Sequence, residues 1–436
     1  MKSNKLIVMS VDALLDEDMN FMKALPNFSR IFHQGAYVKG GVRGIYPALT
    51  YPCHASMITG TYPDKHGIFH NEILNPKGGE MDWYWYRDQI KVPTIIDKAH
   101  EAGLTTACLG WPCMGADPAS DWMIPEIWPK RGADNLEEIL ERSASPNVMN
   151  KEGALRRYLH IYRKLGRQFV DQAVIKAACR LIKTEQPDVM FLHVAYLDYM
   201  RHIHGVHGAG VETALTVHDD WLGWIAEAVE EAGLTEKTNF AVVSDHGHLP
   251  VKQMFQPNVL LVQRGLIRVD ENGKVLEWKA WCNSASLSAQ VHLKDPKDFQ
   301  TREKIEEILY EMRENPQYGV EAVFGREQLK EDYHLTGTFD YVLEGKAGTS
   351  FGNSCTGSIL IKPDNSDYKF SLSSHGHLPY KGAQPVWVMK GPDVGKNKWV
   401  NKARLIDLAP TFAQMLGLEM PEAEGTCIWE MLKTEG

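Results

Sequence analysis

The chain has 436 residues, a formal net charge of −9 and no long basic run, which argues against a general nucleic-acid or anionic-membrane binder. Hydrophobic residues make up 44% and charged residues 24%, an ordinary globular balance, and no apolar run reaches the roughly 18 residues a membrane span needs. Seven cysteines, an odd number with no C-x-x-C pair, fit a reduced cytoplasmic protein better than a disulfide framework.

The first apolar run, residues 5–11, ends in acidic residues without a small-residue cleavage site, so it reads as a buried strand rather than a signal peptide. Residues 24–35 read as a helix, with Pro26 near its first turn and Gly35 as its stop. The stretch 75–92, containing "MDWYWYRDQ", reads as a short loop insertion. Residues 94–103 read as a helix capped by Thr94, and "LTTACLGWP" returns as a strand. Residues 130–165 are charged and mostly helical. Then come a helix over 170–186, the strand "DVMFLHVAYLD", a helix over 215–233 and the strand "TNFAVVSDHG". Near the end lie the strand "QPVWVMKGP" and the helix "KARLIDLAPTFAQMLG". This alternation predicts an α/β fold built on a mostly parallel, doubly wound sheet.

Residues 252–370 break the rhythm. Asn272-Gly273 sits between alternating apolar positions as a hairpin turn, and a strand, "LSAQVHLKD", precedes a charged helix. The segment reads as a smaller α+β cap inserted between core residues 1–251 and 371–436. The phrase "HGHLP" occurs at 246–250 and again at 375–379.

Ligands of an open parallel sheet bind beyond the carboxyl ends of its strands. Asp12, Asp198 and Asp245 each terminate a predicted strand, so three distant acids can converge. His246 follows Asp245 directly, and His202 follows Asp198 by four residues, the same side if a helical turn begins there. His204 and His207 are nearby candidates, and the spacing to Gly205 favours His202. His375 lies in a polar, glycine-containing loop before a core strand. Carboxylate plus imidazole without thiolate suits catalytic Zn²⁺, with Mn²⁺ or Fe as the other metals such donors accept. Two divalent metals against three carboxylates leave a net positive site, which attracts a phosphate diester and can clamp both oxygens of an in-line displacement. Thr50, in a loop stiffened by Pro47 and Pro52, is the candidate nucleophile, and Asn71 can donate its amide to a phosphoryl oxygen.

At these residues the chain resembles the alkaline phosphatase superfamily, and within it the type I phosphodiesterase/nucleotide pyrophosphatase branch with bacterial relatives such as phosphonoacetate hydrolase. The landmarks match in order: Asp12 after the first strand, "YPALTYPCHASMITGTYPDKHGI" followed by Asn71, "LDYMRHIHG", "VVSDHG", His375-Gly376, and the closing "LIDLAPTFAQMLG". The resemblance spans most of residues 5–250 and 370–427 and thins in the cap. It implies a three-layer α/β/α core and two metals. Asp12, Thr50, Asp245 and His246 would hold one, and Asp198, His202 and His375 the other. It also implies a phosphothreonine at Thr50, a phosphoryl contact from Asn71, and an aromatic ring at Tyr51 against a nucleobase. The chain departs from the family's usual Asn at Cys53, and "Cys53-His-Ala-Ser" does not fit the sulfatase pattern.

The expected reaction is cleavage of a phosphodiester or pyrophosphate bond in a small phosphorylated substrate, without a nucleic-acid polymer or membrane partner; the oligomeric state stays open. A phosphonate hydrolase, with Lys130 and Arg131 or Lys346 taking a carboxylate, and a phosphomonoesterase are alternatives on the same scaffold. A metal-containing binding protein without catalysis is the alternative of another class. Several residues have plainer readings. His54, His66 and His70 would orient the loop, Trp111 would pack, and "WYWY" at 83–86 would line a pocket, an interface or the core. Asp219 and Asp220 would lie on a helix surface, and Cys108, Cys113 and Cys179 would be buried and inert.

Overall fold

The first strand, β1 (Lys5–Val11), is buried at every position from Leu6 to Val11, so it needs cover on both faces. In the computed structural model, which describes residues 4–77, 82–127, 136–150, 167–367, 369 and 371–433, that cover is two layers of helices. β1 is joined by β2 (Ala36–Val38), β3 (Thr106–Leu109), β4 (Trp122–Ile124), β5 (Val189–Val194) and β6 (Thr238–Val243). The sheet order is Trp399–Val400, β2, Trp387–Lys390, β6, β1, β5, β3, β4. All pairs are parallel except those of Trp387–Lys390, which runs antiparallel to β2 and β6.

Alternate residues of β1 serve opposite layers. Leu6 and Val8 pack into the core formed with helices Thr50–Thr59, Ile95–Glu101 and Leu408–Leu416. Ile7, Met9 and Val11 pack into the core formed with helices Pro26–Ile31, Arg167–Thr184 and Ala209–Glu231. The result is the three-layer α/β/α arrangement. Register places Val11 beside Val194 of β5 and Ser10 beside Val243 of β6. The three central strands therefore end almost level, at one edge of the sheet.

Between β6 and Trp387–Lys390 the chain builds other sheets. Strands Ala280–Ser284, Ser288–Leu293, Tyr341–Gly345 and Val320–Gly325 form an antiparallel sheet. Helix Phe299–Glu314 covers it with Ile305, Ile308, Leu309 and Met312. Strand Leu249–Phe255 pairs with Gly348–Phe351, Leu360–Ile361 and Ser373–Ser374. The Asn272-Gly273 turn joins Ile267–Val269 to Val275–Trp278, with Gly273 at φ 80°, the left-handed conformation such a turn requires.

Local expectations fare unevenly. Thr94 caps its helix by accepting from Asp97 N–H at 3.2 Å. The helix expected over 24–35 is instead two short ones, Met19–Ala24 and Pro26–Ile31. Leu25 between them is extended (φ −80°, ψ 144°), as a residue before proline prefers. Asp219, expected on a helix surface, is buried. Its carboxylate accepts from Asn27 N–H at 3.1 Å and Phe28 N–H at 2.6 Å and so caps the Pro26 helix. Asp220 is exposed. All seven cysteines are free thiols; Cys108 and Cys113 are buried and Cys179 is partly so. Trp111 packs edge-on against Phe191, centroids 5.1 Å apart. Much of the 130–165 segment lies outside the described residues.

Phe412 is fully buried, edge-on to both Phe191 and Trp387. Phe412→Ala is expected to cost about 3–5 kcal/mol by removing a large ring from a packed core. Urea unfolding at fixed metal content checks this, through a lower midpoint at unchanged slope.

Candidate metal centre

The level strand ends bring the predicted ligands together. Asp12 follows β1 directly, and Asp245 lies two residues beyond the end of β6. Asp198 does not terminate a strand. β5 ends at Val194, and a helix, Tyr196–His204, begins one residue later. Asp198 sits in its first turn and His202 one turn on. The Asp171 carboxylate fixes this strand-to-helix turn by accepting from Ala195 N–H at 2.7 Å and Tyr196 N–H at 2.6 Å.

Thr50 likewise does not lie in a loop. It is the first residue of helix Thr50–Thr59, whose ten residues are all buried. Leu49 offers this helix no side-chain cap. The Asn71 carboxamide accepts from Tyr51 N–H, Pro52 has no N–H and Cys53 N–H bonds Leu49 O, which leaves the Thr50 N–H to whatever lies beside it. His54 braces the same turn. Its Nδ1 lies 2.8 Å from Thr50 O and its Nε2 2.8 Å from Ser10 Oγ.

Thr50 faces one set of donors. His246 Nε2 lies 3.2 Å from Thr50 Oγ1, 3.4 Å from Asp12 Oδ1 and 3.3 Å from Asp245 Oδ2. Asp12 Oδ1 and Asp245 Oδ2 are buried with no hydrogen-bond partner among the described residues. Burial, reinforced by Asp245 and Asp198, raises the Asp12 carboxyl well above the usual carboxylate range. Burial pushes Asp245 up to about 7. Two orphaned carboxylate oxygens and a neutral imidazole around one hydroxyl fit a divalent cation, which would remove both the desolvation and the like-charge penalty.

A second set surrounds Asp198. His202 Nε2 lies 3.3 Å from Asp198 Oδ2 and His375 Nε2 3.8 Å from Asp198 Oδ1. His375 stacks on His246, centroids 3.8 Å apart, which joins the two sets. Burial would raise Asp198, but the His202 imidazole draws it well below its usual value. Burial holds His375 and His248 at about 3, so both are neutral lone-pair donors at neutral pH. All seven residues of the predicted metal sets therefore converge. His207 is exposed beside Glu17, at 3.3 Å, and takes no part.

A cavity of about 340 Å³ opens onto both sets, with Asp12, Thr50, Asn71, Asp198, His202 and His375 on its floor. Asn71 Oδ1 accepts from Tyr51 N–H at 3.0 Å, which leaves the Nδ2 group of that amide as the donor for a ligand. Tyr51, expected to hold a ring against a base, is fully buried. Its ring meets Trp83 edge-on at 5.2 Å and its hydroxyl donates to Glu126. Trp83 and the half-exposed Tyr199 are the aromatic groups nearer the opening, while Trp85 belongs to the core. Arg167 is the cation among the described lining residues; it pairs with Asp171 at 3.1 Å and Glu126 at 3.7 Å. Lys346 is exposed and does not line this cavity, and Lys130 and Arg131 lie outside the described residues. His66 binds Ser56 Oγ at 2.9 Å, and His70 binds Ser284 O at 3.1 Å.

Three participants escaped the sequence reading: His248, Glu126 and Arg167. Only His248 left a signal. It stands two residues after His246, a spacing that returns side chains to one side of an extended chain.

A family model described as type I phosphodiesterase / nucleotide pyrophosphatase matches residues 6–378. The rat ectonucleotide pyrophosphatase/phosphodiesterase family member 1 is 26% identical over 233 residues, 51% of this chain and 21% of that protein. Family member 3 from mouse is 26% identical over 252 residues, 56% of this chain and 24% of that protein. A Caenorhabditis elegans relative, C27A7.1, is 21% identical over 447 residues, 97% of this chain and 44% of that protein. The matches thus span about a fifth to under half of these relatives' lengths. The solved structure of murine ectonucleotide pyrophosphatase/phosphodiesterase 5 superposes with a TM-score of 0.67 at 18% identity, covering 98% of this chain and 100% of that one. An inactive threonine-to-alanine variant of the same murine protein in complex with AMP gives 0.67 at 17% identity, with 99% and 100% covered. At such identities the likeness shows the fold, an α/β core of alkaline-phosphatase type.

Proposed function

The chain belongs to the type I phosphodiesterase/nucleotide pyrophosphatase family, and from that premise we propose that it hydrolyses a phosphodiester or pyrophosphate bond in a small nucleotide-like substrate, with Thr50 as nucleophile. The observation that carries this reading is the position of Thr50 Oγ1. It heads a buried helix and lies 3.2 Å from His246 Nε2, beside two orphaned carboxylate oxygens. Bound at the two donor sets, divalent metals, Zn²⁺ by donor type, would lower the pKa of the threonine hydroxyl and offset charge on the phosphoryl oxygens.

The chain's own residues supply the rest. Thr50 Oγ attacks phosphorus and the bond to the leaving oxygen breaks, giving a phosphothreonine and a free alcohol or phosphate. Water then cleaves the Oγ–P bond and regenerates Thr50. Asn71 Nδ2 and the Thr50 N–H receive the non-bridging oxygens. The cavity of about 340 Å³ is of the size that takes a small, mononucleotide-like group. Trp83 and Tyr199 offer aromatic faces to the part of the substrate beyond the phosphate. The AMP bound to the murine relative's inactive variant accords with this reading. Seven free thiols accord with a reducing, cytoplasmic compartment. Among the described residues no helix is long and apolar enough to cross a membrane.

Arg167 favours a second reading. A guanidinium on the cavity wall can take the carboxylate of a phosphonate substrate. Initial rates on thymidine monophosphate nitrophenyl ester and on nitrophenyl phosphate, with added Zn²⁺, separate the two. A diester rate well above the monoester rate is expected. A monoester preference would assign a phosphomonoesterase, and silence on both with turnover of phosphonoacetate would assign a phosphonate hydrolase.

A further inference from the structure

His248 belongs to neither metal set that the family resemblance implies, yet its Nε2 is the imidazole nitrogen nearest Asp198, 2.7 Å from Oδ1. The hydrogen-bond pattern around it determines which nitrogen carries the proton. Ser373 Oγ lies 2.6 Å from Arg201 O, a carbonyl that can only accept, so the hydroxyl hydrogen is committed there. The same Oγ lies 3.1 Å from His248 Nδ1 and must therefore accept from it. His248 is thus fixed with its hydrogen on Nδ1, and Nε2 turns a lone pair toward a carboxylate oxygen. Two acceptors at 2.7 Å repel unless a cation lies between or beside them.

The neighbours are held in the same tautomer. His202 Nδ1 lies 2.8 Å from Ser373 O and His375 Nδ1 3.1 Å from Ala48 O, both carbonyls. Each therefore directs Nε2 toward Asp198. A doubly protonated His248 would stand in ring contact with both, at centroid separations of 4.7 Å from His202 and 5.3 Å from His375. Ser373 also ties the group together. Its Oγ orients His248 and its carbonyl orients His202, from the strand that pairs with Leu249 and Pro250 just after His248. Nitrogen atoms of His246, His248 and His375 and a carboxylate oxygen of Asp198 lie within 4.8 Å of one another.

We propose that His248 is a fourth protein ligand, through Nε2, of the metal held by Asp198, His202 and His375. This rests on the two-metal reading above and extends it. Three imidazoles and one carboxylate complete a four-coordinate shell, the arrangement of tightly held zinc. The other set has three such ligands and gives its fourth position to the reacting Thr50 hydroxyl. The two metals then differ in kind. The one at Asp198 is the more firmly bound, and the one at Thr50 exchanges more readily.

Two measurements on the full chain test this. In chelator competition, wild-type protein should take up two zinc equivalents. His248→Ala should weaken one of them by more than the roughly 10- to 100-fold that loss of a supporting outer group causes, and leave the other unchanged. A crystal structure of the zinc-loaded wild type should place His248 Nε2 about 2.0–2.1 Å from the metal. The structure separates direct ligation from support of Asp198, and it does not depend on the variant folding. Two equivalents with His248→Ala indistinguishable from wild type, or an Nε2 outside bonding distance in the loaded crystal, would overturn the role of His248 alone. Fewer than two equivalents in the wild type would overturn the two-metal reading itself.

Discussion

Thr50→Ala lowers kcat/KM for diester hydrolysis by at least about 10³-fold, the scale expected when a nucleophile is removed and the groups that stabilise charge are left in place. Among the described lining residues the other hydroxyls are those of Tyr51, tied to Glu126, and of the half-exposed Tyr199. The cavity floor otherwise holds carboxylates, imidazoles and the Asn71 amide, none placed to form the same ester. Thr50 is the first residue of its helix, where losing a side-chain hydroxyl removes no intrahelical bond, so the fold persists. His246, Asp12 and Asp245 remain and still offer three donors. The variant should therefore unfold like the wild type and still take up metal. Thr50→Ser keeps the hydroxyl and should recover part of the rate. Rapid acid quenching during turnover should trap a phosphorylated chain in the wild type and none in Thr50→Ala. If Thr50→Ala kept most of its activity, attack by water on substrate would replace the phosphothreonine route.

The site was more legible in the sequence than the elements that carry it, and particular residues show why. Asp12 and Asp245 follow buried parallel strands, which appear as short apolar runs closed by an acid. Asp198 looks like a strand-end residue in the sequence because Ala195, Tyr196 and Leu197 continue the apolar run of β5. Periodicity cannot mark a boundary where a buried strand passes into a helix buried on the same side. The prolines on either side of Thr50 suggest a stiff loop. Pro52 falls in the first turn of the helix, where the missing N–H costs no hydrogen bond, so it marks a beginning rather than a break.

Asp219 was illegible for a different reason. It caps a helix 192 residues earlier in the chain, and no local pattern announces a partner that distant. Arg167 and Glu126 flank stretches without clear periodicity and meet only in the folded chain. The aromatic run 83–86 divides between cavity and core, a division that depends on which way each ring faces.

Removing the metals should change the protein's response to pH in a defined direction. In the metal-free chain burial pushes Asp245 up to about 7 and raises Asp12 further above its usual range. Both carboxyls sit near 3.9 in an unfolded chain. A folded-state pKa above the unfolded value contributes stability that is present below about pH 4 and is lost as pH rises through about 7. His202 acts in the same direction. Burial would lower its pKa, but the Asp198 carboxylate raises it above the ordinary histidine value. In the metal-free protein these three groups should therefore withdraw stability between weakly acidic and neutral pH. The buried histidines with lowered pKa act the other way and, being neutral with or without metal, cancel in the comparison of the two forms. Bound metal needs these groups deprotonated and removes that loss. Zinc at a thousand times its Kd adds about 4 kcal/mol at one site, and its effect should widen with pH. Thermal unfolding with and without chelator between about pH 5.5 and 8.5 should show a Tm gap that grows with pH. Calorimetric zinc titrations in buffers of different ionisation enthalpy should show proton release near pH 6 that declines by pH 8.5. A gap that is flat or narrows with pH would mean that Asp12 and Asp245 do not face a metal, and that the orphaned oxygens around Thr50 have another partner.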